Sequence, residues 1–141
     1  MANRIFVESE RAAFRALEAE AAVVVRRALK QLRKDGCAIE LAFVTNETMR
    51  KENKKFRGKD TPTTILSFDA RIGFPRPDVG TKRYLGELLI APRFVAFRKQ
   101  SLKLLLVHGI LHLLGYTHGV RRARIRMERR ERSICRALGI S

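Results

Sequence analysis

The sequence predicts an α+β domain: a small mixed β-sheet covered by helices, with a central apolar helix that carries three histidines. Three observations lead there. Short β-rich stretches alternate along the chain with segments of helical periodicity. One segment, Leu102 to Leu114, is apolar on most faces and therefore belongs inside the fold. The length of 141 residues, 45% of them hydrophobic, suits one core of this kind and not two, so residues 1–141 are read as a single domain.

Taken in order, Arg4 to Val7 reads as a short strand. Glu10 to Lys34 then places Phe14, Leu17, Ala21, Val24, Val25, Ala28 and Leu32 at helical spacing, with Ser9 as the expected N-cap and Gly36 as the stop. Cys37 to Val44 is β-rich and partly alternating, which predicts a strand, followed by a polar helix from Asn46 to Phe56. Arg57-Gly-Lys-Asp-Thr-Pro62 is turn chemistry, Thr64 to Phe68 a strand, and residues 71–81, rich in glycine and proline, a loop. Arg83 to Ile90 reads as a further strand, and Pro92 suits the first turn of the helix after it. The apolar helix runs from Ser101 to Leu114 and is ended by Gly115; a last, basic helix runs from Val120 to Leu138, before Gly139.

Thirty Lys and Arg against fourteen Asp and Glu leave a formal charge of +16. A field of that size attracts polyanions, which makes nucleic acid the leading partner class, ahead of a merely solubilising surface or an anionic membrane. No hydrophobic stretch is long and charge-free enough to span a bilayer. The N-terminal stretch mixes Arg4 with Glu8 and Glu10 and has no apolar secretory core. Cys37 and Cys135 form no Cys-x-x-Cys pattern, so buried, reduced thiols in a soluble cytoplasmic protein are expected.

All three histidines of the chain fall in His108-Gly-Ile-Leu-His-Leu-Leu-Gly-Tyr-Thr-His118. His108 and His112, four residues apart, share a helical face, so both imidazoles can reach one ion. Gly115 can adopt the left-handed conformation that turns the chain back and lets His118 approach the same point. Three nitrogen ligands on a tetrahedral zinc leave a fourth position for water, the arrangement of a hydrolytic site; imidazoles accept other transition metals too. The spacing matches the long zincin pattern at its histidines and glycine, but Gly109 stands where that pattern has its glutamate base, which argues against a peptidase.

With these residues, the chain resembles the YbeY family of metal-dependent endoribonucleases, also called rRNA maturation factors. The likeness includes His108-Gly-x-x-His-Leu-x-Gly-Tyr-x-His118, the upstream stretch Asn53-Lys-Lys-Phe-Arg-Gly-Lys-Asp-Thr-Pro-Thr-Thr-Ile-Leu-Ser-Phe68, and Leu85-Gly-Glu-Leu-Leu-Ile90. It implies single-strand-specific RNA cleavage in ribosomal RNA maturation and ribosome quality control, with ribosomal RNA or small-subunit components as partners and zinc on His108, His112 and His118. Arg57 falls on the family's functional arginine. A guanidinium on a turn can grip a phosphate in bidentate fashion, and Lys59 beside it is taken as a second RNA contact.

The chain departs from the family pattern at Thr117, Thr64 and Glu87, where aspartate is usual. Glu87, Asp69 and Asp60 are left as candidates for proton handling. Two rival readings accompany the nuclease: a zinc-containing ribosome- or RNA-binding assembly factor that does not cut, favoured by the missing acids, and, behind it, a zincin-like metallopeptidase.

Overall fold

The computed structural model describes residues 2–70 and 79–140. Four strands, β1 (Arg4–Ser9), β2 (Cys37–Phe43), β3 (Ile65–Asp69) and β4 (Arg83–Ile90), form one sheet in the order β1-β2-β4-β3. β1 and β4 each run parallel to β2, and β3 is antiparallel to β4. Among the described residues, five α-helices accompany it: α1 (Glu18–Gln31), α2 (Asn46–Arg57), α3 (Pro92–Phe97), α4 (Leu102–Leu113) and α5 (Arg121–Leu138). The predicted mixed sheet under helices is therefore the observed architecture. Residues 71–78 of the expected loop lie outside the described residues.

The main core lies between the sheet and α1, α4 and α5. α4 is its centre. Leu106, Val107, Gly109, Ile110, Leu111 and Leu113 are all buried, and the helix packs on α1, α5, β3 and β4; with so many faces covered, its sequence has no continuous polar side. Ser101 caps it by accepting from the Leu104 N–H at 3.2 Å. A smaller cluster on the other side of the sheet joins Met49 of α2 to Leu66, Phe68 and Leu89. Both cysteines are buried and free. Among the described residues, no helix is long and apolar enough to cross a membrane.

The first helix departs from expectation at both ends. Ser9 is the last residue of β1 rather than a cap, and the chain passes through a 3-10 turn, Ala12–Leu17, before α1 begins at Glu18. Glu10 is held elsewhere: its N–H continues the ladder to the Phe43 carbonyl at 2.9 Å. Its carboxylate takes the Thr45 N–H at 2.8 Å and the Thr48 hydroxyl at 2.6 Å. Bonded to the start of α2, Glu10 cannot open a helix of its own. At the far end Arg33, at φ 54°, takes the left-handed position expected of Gly36. Lys34 then closes on the Leu29 carbonyl at 2.9 Å, leaving Gly36 (φ 63°) to turn into β2.

Two glycines set how closely the layers meet. A Cβ on Gly109 would lie 2.8 Å from Leu88 Cδ2 and 3.0 Å from Ile65 Cδ1. α4 thus rests directly on β4 and β3 at the turn that carries His108. Gly86 sits at φ 133°, and a Cβ there would come within 2.2 Å of the Phe68 carbonyl oxygen. Only glycine permits that approach between β4 and β3.

Candidate metal centre

The end of α4 builds the site. Gly115, at φ 98°, donates to the His112 carbonyl at 3.0 Å, and Tyr116 N–H reaches back to the Leu111 carbonyl at 3.0 Å. These are the two bonds of a Schellman motif, which ends the helix and reverses the chain. The reversal brings His118 back over α4, with its Nε2 3.3 Å from His108 Nε2. His112 Nε2 is 3.1 Å from His108 Nε2. One ligand atom from each of the three histidines lies within 4.8 Å of the others.

Ring orientation explains what this cluster can hold. His108 Nδ1 lies 2.6 Å from a Glu131 carboxylate oxygen on α5. His112 Nδ1 lies 3.1 Å from the Tyr116 carbonyl, the same turn that ends the helix. Both partners are acceptors, so each Nδ1 carries a proton, and in the neutral ring each Nε2 is left as the ligand atom facing inward. Burial, and then the neighbouring His108 and His118, lower the pKa of His112, which keeps it in the neutral form a metal requires. With both rings neutral in this tautomer, the two Nε2 lone pairs face each other 3.1 Å apart and repel. A cation bound by both removes the repulsion, and two nitrogens at ordinary zinc–imidazole distances in a tetrahedron stand about 3.3 Å apart. The donor set therefore fits a transition-metal ion, and three nitrogens leave a tetrahedral position open.

The histidines face a cleft of about 580 Å³ whose walls include Arg57, Ser67, Asp69 and Thr117. Arg57 is the last residue of α2, where Gly58 at φ 71° ends the helix. The following turn is tied down by Asn53, a buried residue whose Nδ2 donates to the Thr61 carbonyl at 2.8 Å. Arg57 thus comes to the histidines from a separate element held by its own staple. Lys59 follows on the exposed turn and does not line the cleft.

The three acids proposed for proton handling separate. Asp69 lines the cleft. Asp60 does not; it is exposed and paired to Arg50 by contacts of 2.7 and 3.2 Å, which hold its pKa below the ordinary value. Glu87 lies between Gly86, which abuts Leu113, and Leu88, which abuts Gly109. Alternation along β4 therefore turns Glu87 to the opposite face of the sheet. Burial there, with Glu40, Glu8 and Glu52 nearby, raises its pKa to about 7. It has no access to the histidines. Glu131 is the residue that sequence reasoning missed. The available signal was that Glu128 and Glu131 are the only acids within the arginine-rich α5.

Fold and site together define a class: an α+β domain whose central helix and following turn gather three imidazoles able to hold a transition-metal ion. The sequence profile of the family described as Endoribonuclease YbeY matches residues 5–139, and the chain belongs to that family. A relative from Rhodopseudomonas palustris named Endoribonuclease YbeY is 37% identical over 113 residues, 74% of this chain and 59% of the relative. A second of that name, from Sulfurihydrogenibium, is 36% identical over 67% of this chain and 65% of its own length. The chain thus spans somewhat under two thirds of the length of these two relatives. In fold it is similar to TM1509 from Thermotoga maritima, known from a solution structure, with TM-score 0.54 at 21% identity, covering 95% of this chain and 91% of the other.

Proposed function

We propose that the chain is a metal-dependent, single-strand-specific endoribonuclease that acts on ribosomal RNA in the cytoplasm, in its maturation and in ribosome quality control. The observation that carries this reading is that three inward-facing Nε2 atoms and the Arg57 guanidinium share one cleft. Family membership supports the reaction class, since the matched relatives are named endoribonucleases. The formal charge of +16 supports a polyanionic substrate.

His108, His112 and His118 would hold one zinc ion, which when bound supplies Lewis acidity and lowers the pKa of a bound water. Glu131 and the Tyr116 carbonyl keep the first two imidazoles aimed. Arg57 binds the scissile phosphate and offsets the charge that grows on it during cleavage. Lys59, on the rim, adds a contact to the flanking strand. Gly109 leaves the site without the glutamate of a zincin, and the close approach of Leu88 and Ile65 leaves no room for one.

A second reading, an RNA-binding assembly factor that does not cut, is favoured by the position of Asp60 and Glu87 away from the cleft, which leaves Asp69 as its one acid among those three. The two readings separate when zinc-loaded protein, its metal content measured, is incubated with labelled single-stranded RNA beside His112→Ala and Arg57→Ala. Cleavage is expected from the wild type, none from His112→Ala, and a rate reduced about 100-fold from Arg57→Ala with zinc content unchanged. RNA left equally intact by all three, yet bound normally, would establish the assembly-factor reading instead.

A further inference from the structure

The basic helix α5 does more than add charge. It forms one side of a groove of about 710 Å³ walled by arginines, with the exposed Ile125 and the half-buried Tyr116 also lining it. Arg122, Arg126 and Arg129 succeed one another by four and three residues, so they stand in one stripe about 10 Å long. Among the described residues none of these three forms an ion pair or a side-chain hydrogen bond, whereas the neighbouring Arg130 donates to the Gln31 carbonyl at 3.1 Å. Guanidinium groups left with water alone are the ones available to an incoming phosphate.

The groove is joined to the histidine cleft. Tyr116 borders both, and between them a smaller depression is bordered by Gly115, Tyr116, Thr117 and Arg126. A strand leaving the histidines therefore passes over the turn that ends α4 and arrives on α5. An extended single strand matches this surface, offering phosphates to the arginine stripe and base faces to Tyr116 and Ile125. A membrane surface matches it poorly: of the large apolar residues of α5, Met127, Ile134 and Leu138 are buried and only Ile125 is exposed, among arginines, so the helix has no continuous apolar face to insert.

We propose that the α5 groove, through Arg122, Arg126 and Arg129, binds the sugar-phosphate backbone of single-stranded RNA several nucleotides away from the cleaved bond, with Tyr116 stacking a base where the strand crosses from the cleft. This extends the nuclease reading and rests on it for the choice of polyanion. It assigns a second, separable part of the substrate to a second surface. Short RNAs fill the cleft alone; longer ones gain the groove.

The test uses the full chain and fluorescent 2′-O-methyl oligouridylates of about 4 and about 20 nucleotides, with binding followed by anisotropy across a salt series. Arg122→Glu/Arg126→Glu/Arg129→Glu should bind the long strand at least roughly 10-fold more weakly and reduce its salt slope by about 2, three contacts at about 0.7 each. Its binding to the short strand should stay at the wild-type level. The corresponding glutamine triple variant, which removes charge without reversing it, should show a smaller loss in the same direction, and circular dichroism reports whether each variant is folded. A control with Arg11→Glu/Arg15→Glu/Arg98→Glu should lose markedly less.

Unchanged affinity for the long strand, or an equal loss in the control, would overturn the groove. So would a loss confined to vesicles of anionic phosphatidylglycerol with RNA binding intact. Cleavage is assayed separately on unmodified RNA: if the wild type cuts no RNA of either length, the nuclease reading fails while the anisotropy series still decides the groove.

Discussion

Helices α4 and α5 lie against each other and are built from opposite materials. α4 is apolar on nearly every face, half of its residues are buried, and its polar side chains are Lys103 at its start and the two imidazoles of its second half. α5 keeps only Met127, Ile134, Cys135 and Leu138 buried and gives much of its remaining surface to arginine. The first sets geometry, because a packed helix has few ways to move; the second sets the field, because exposed guanidinium groups act through charge. They meet at one point. Glu131 reaches from the basic helix to His108 of the apolar one, at 2.6 Å, so the charged layer also fixes a ring in the geometric one.

The largest effect should come from breaking the geometric layer at Gly109. Gly109→Glu forces a carboxylate between Leu88 and Ile65, where a Cβ alone has 2.8 Å and 3.0 Å. An unpaired charge buried there costs several kcal/mol, a large part of a domain's stability of about 5–15 kcal/mol. Urea denaturation should find the variant unfolded or nearly so. Gly109→Ala, a milder overpacking, should cost about 1–3 kcal/mol on the same measurement.

Next comes the junction. Glu131→Gln removes the charge from the acceptor that faces His108 Nδ1, and zinc affinity should fall about 10- to 100-fold in a competition titration. The fold should be little changed, since Glu131 is partly exposed at the helix surface. An affinity equal to wild type would mean that α5 contributes field alone, and the comparison would have to be drawn more simply.

The smallest effect lies away from both helices, on the far face of the sheet. The Glu87 carboxyl holds its proton to about pH 7, while an unperturbed one releases it near 4.5. The native state thus binds the extra proton between these values. Its contribution is full below the lower value and is lost as pH rises through the higher one. Glu87→Gln should flatten the dependence of stability on pH across that window and stabilise the protein above it by on the order of 1 kcal/mol after allowance for solvent screening. Denaturation midpoints measured at several pH values would show it; identical slopes for both proteins would rule the shift out.

Much of this was legible in the sequence because periodicity and spacing are local. The four strands and the histidine helix followed from hydrophobic pattern, and the meeting of His108, His112 and His118 from helical geometry plus one glycine. The errors arose where a distant partner decides. Glu10 looked like helix and is bonded to the start of α2. Arg33 took the left-handed residue's place ahead of Gly36. Asp60, Asp69 and Glu87 were equivalent as letters; strand parity and a surface guanidinium separate them, and neither can be read before the layers are assembled. Glu131 stayed hidden for the same reason, twenty-three residues from its partner. Arg57 was legible as a residue on a turn, but its presence in the histidine cleft depends on how α2 and β3 are placed.

X-ray absorption at the zinc edge, on the full chain loaded with one equivalent of zinc, bears most directly on the three-histidine centre. It should give a shell of three imidazole nitrogens and one further light atom at about 2.0–2.1 Å, with the imidazole signature lost together with high-affinity uptake in His112→Ala. A sulfur shell, a six-oxygen shell, or uptake indifferent to His112→Ala would contradict it.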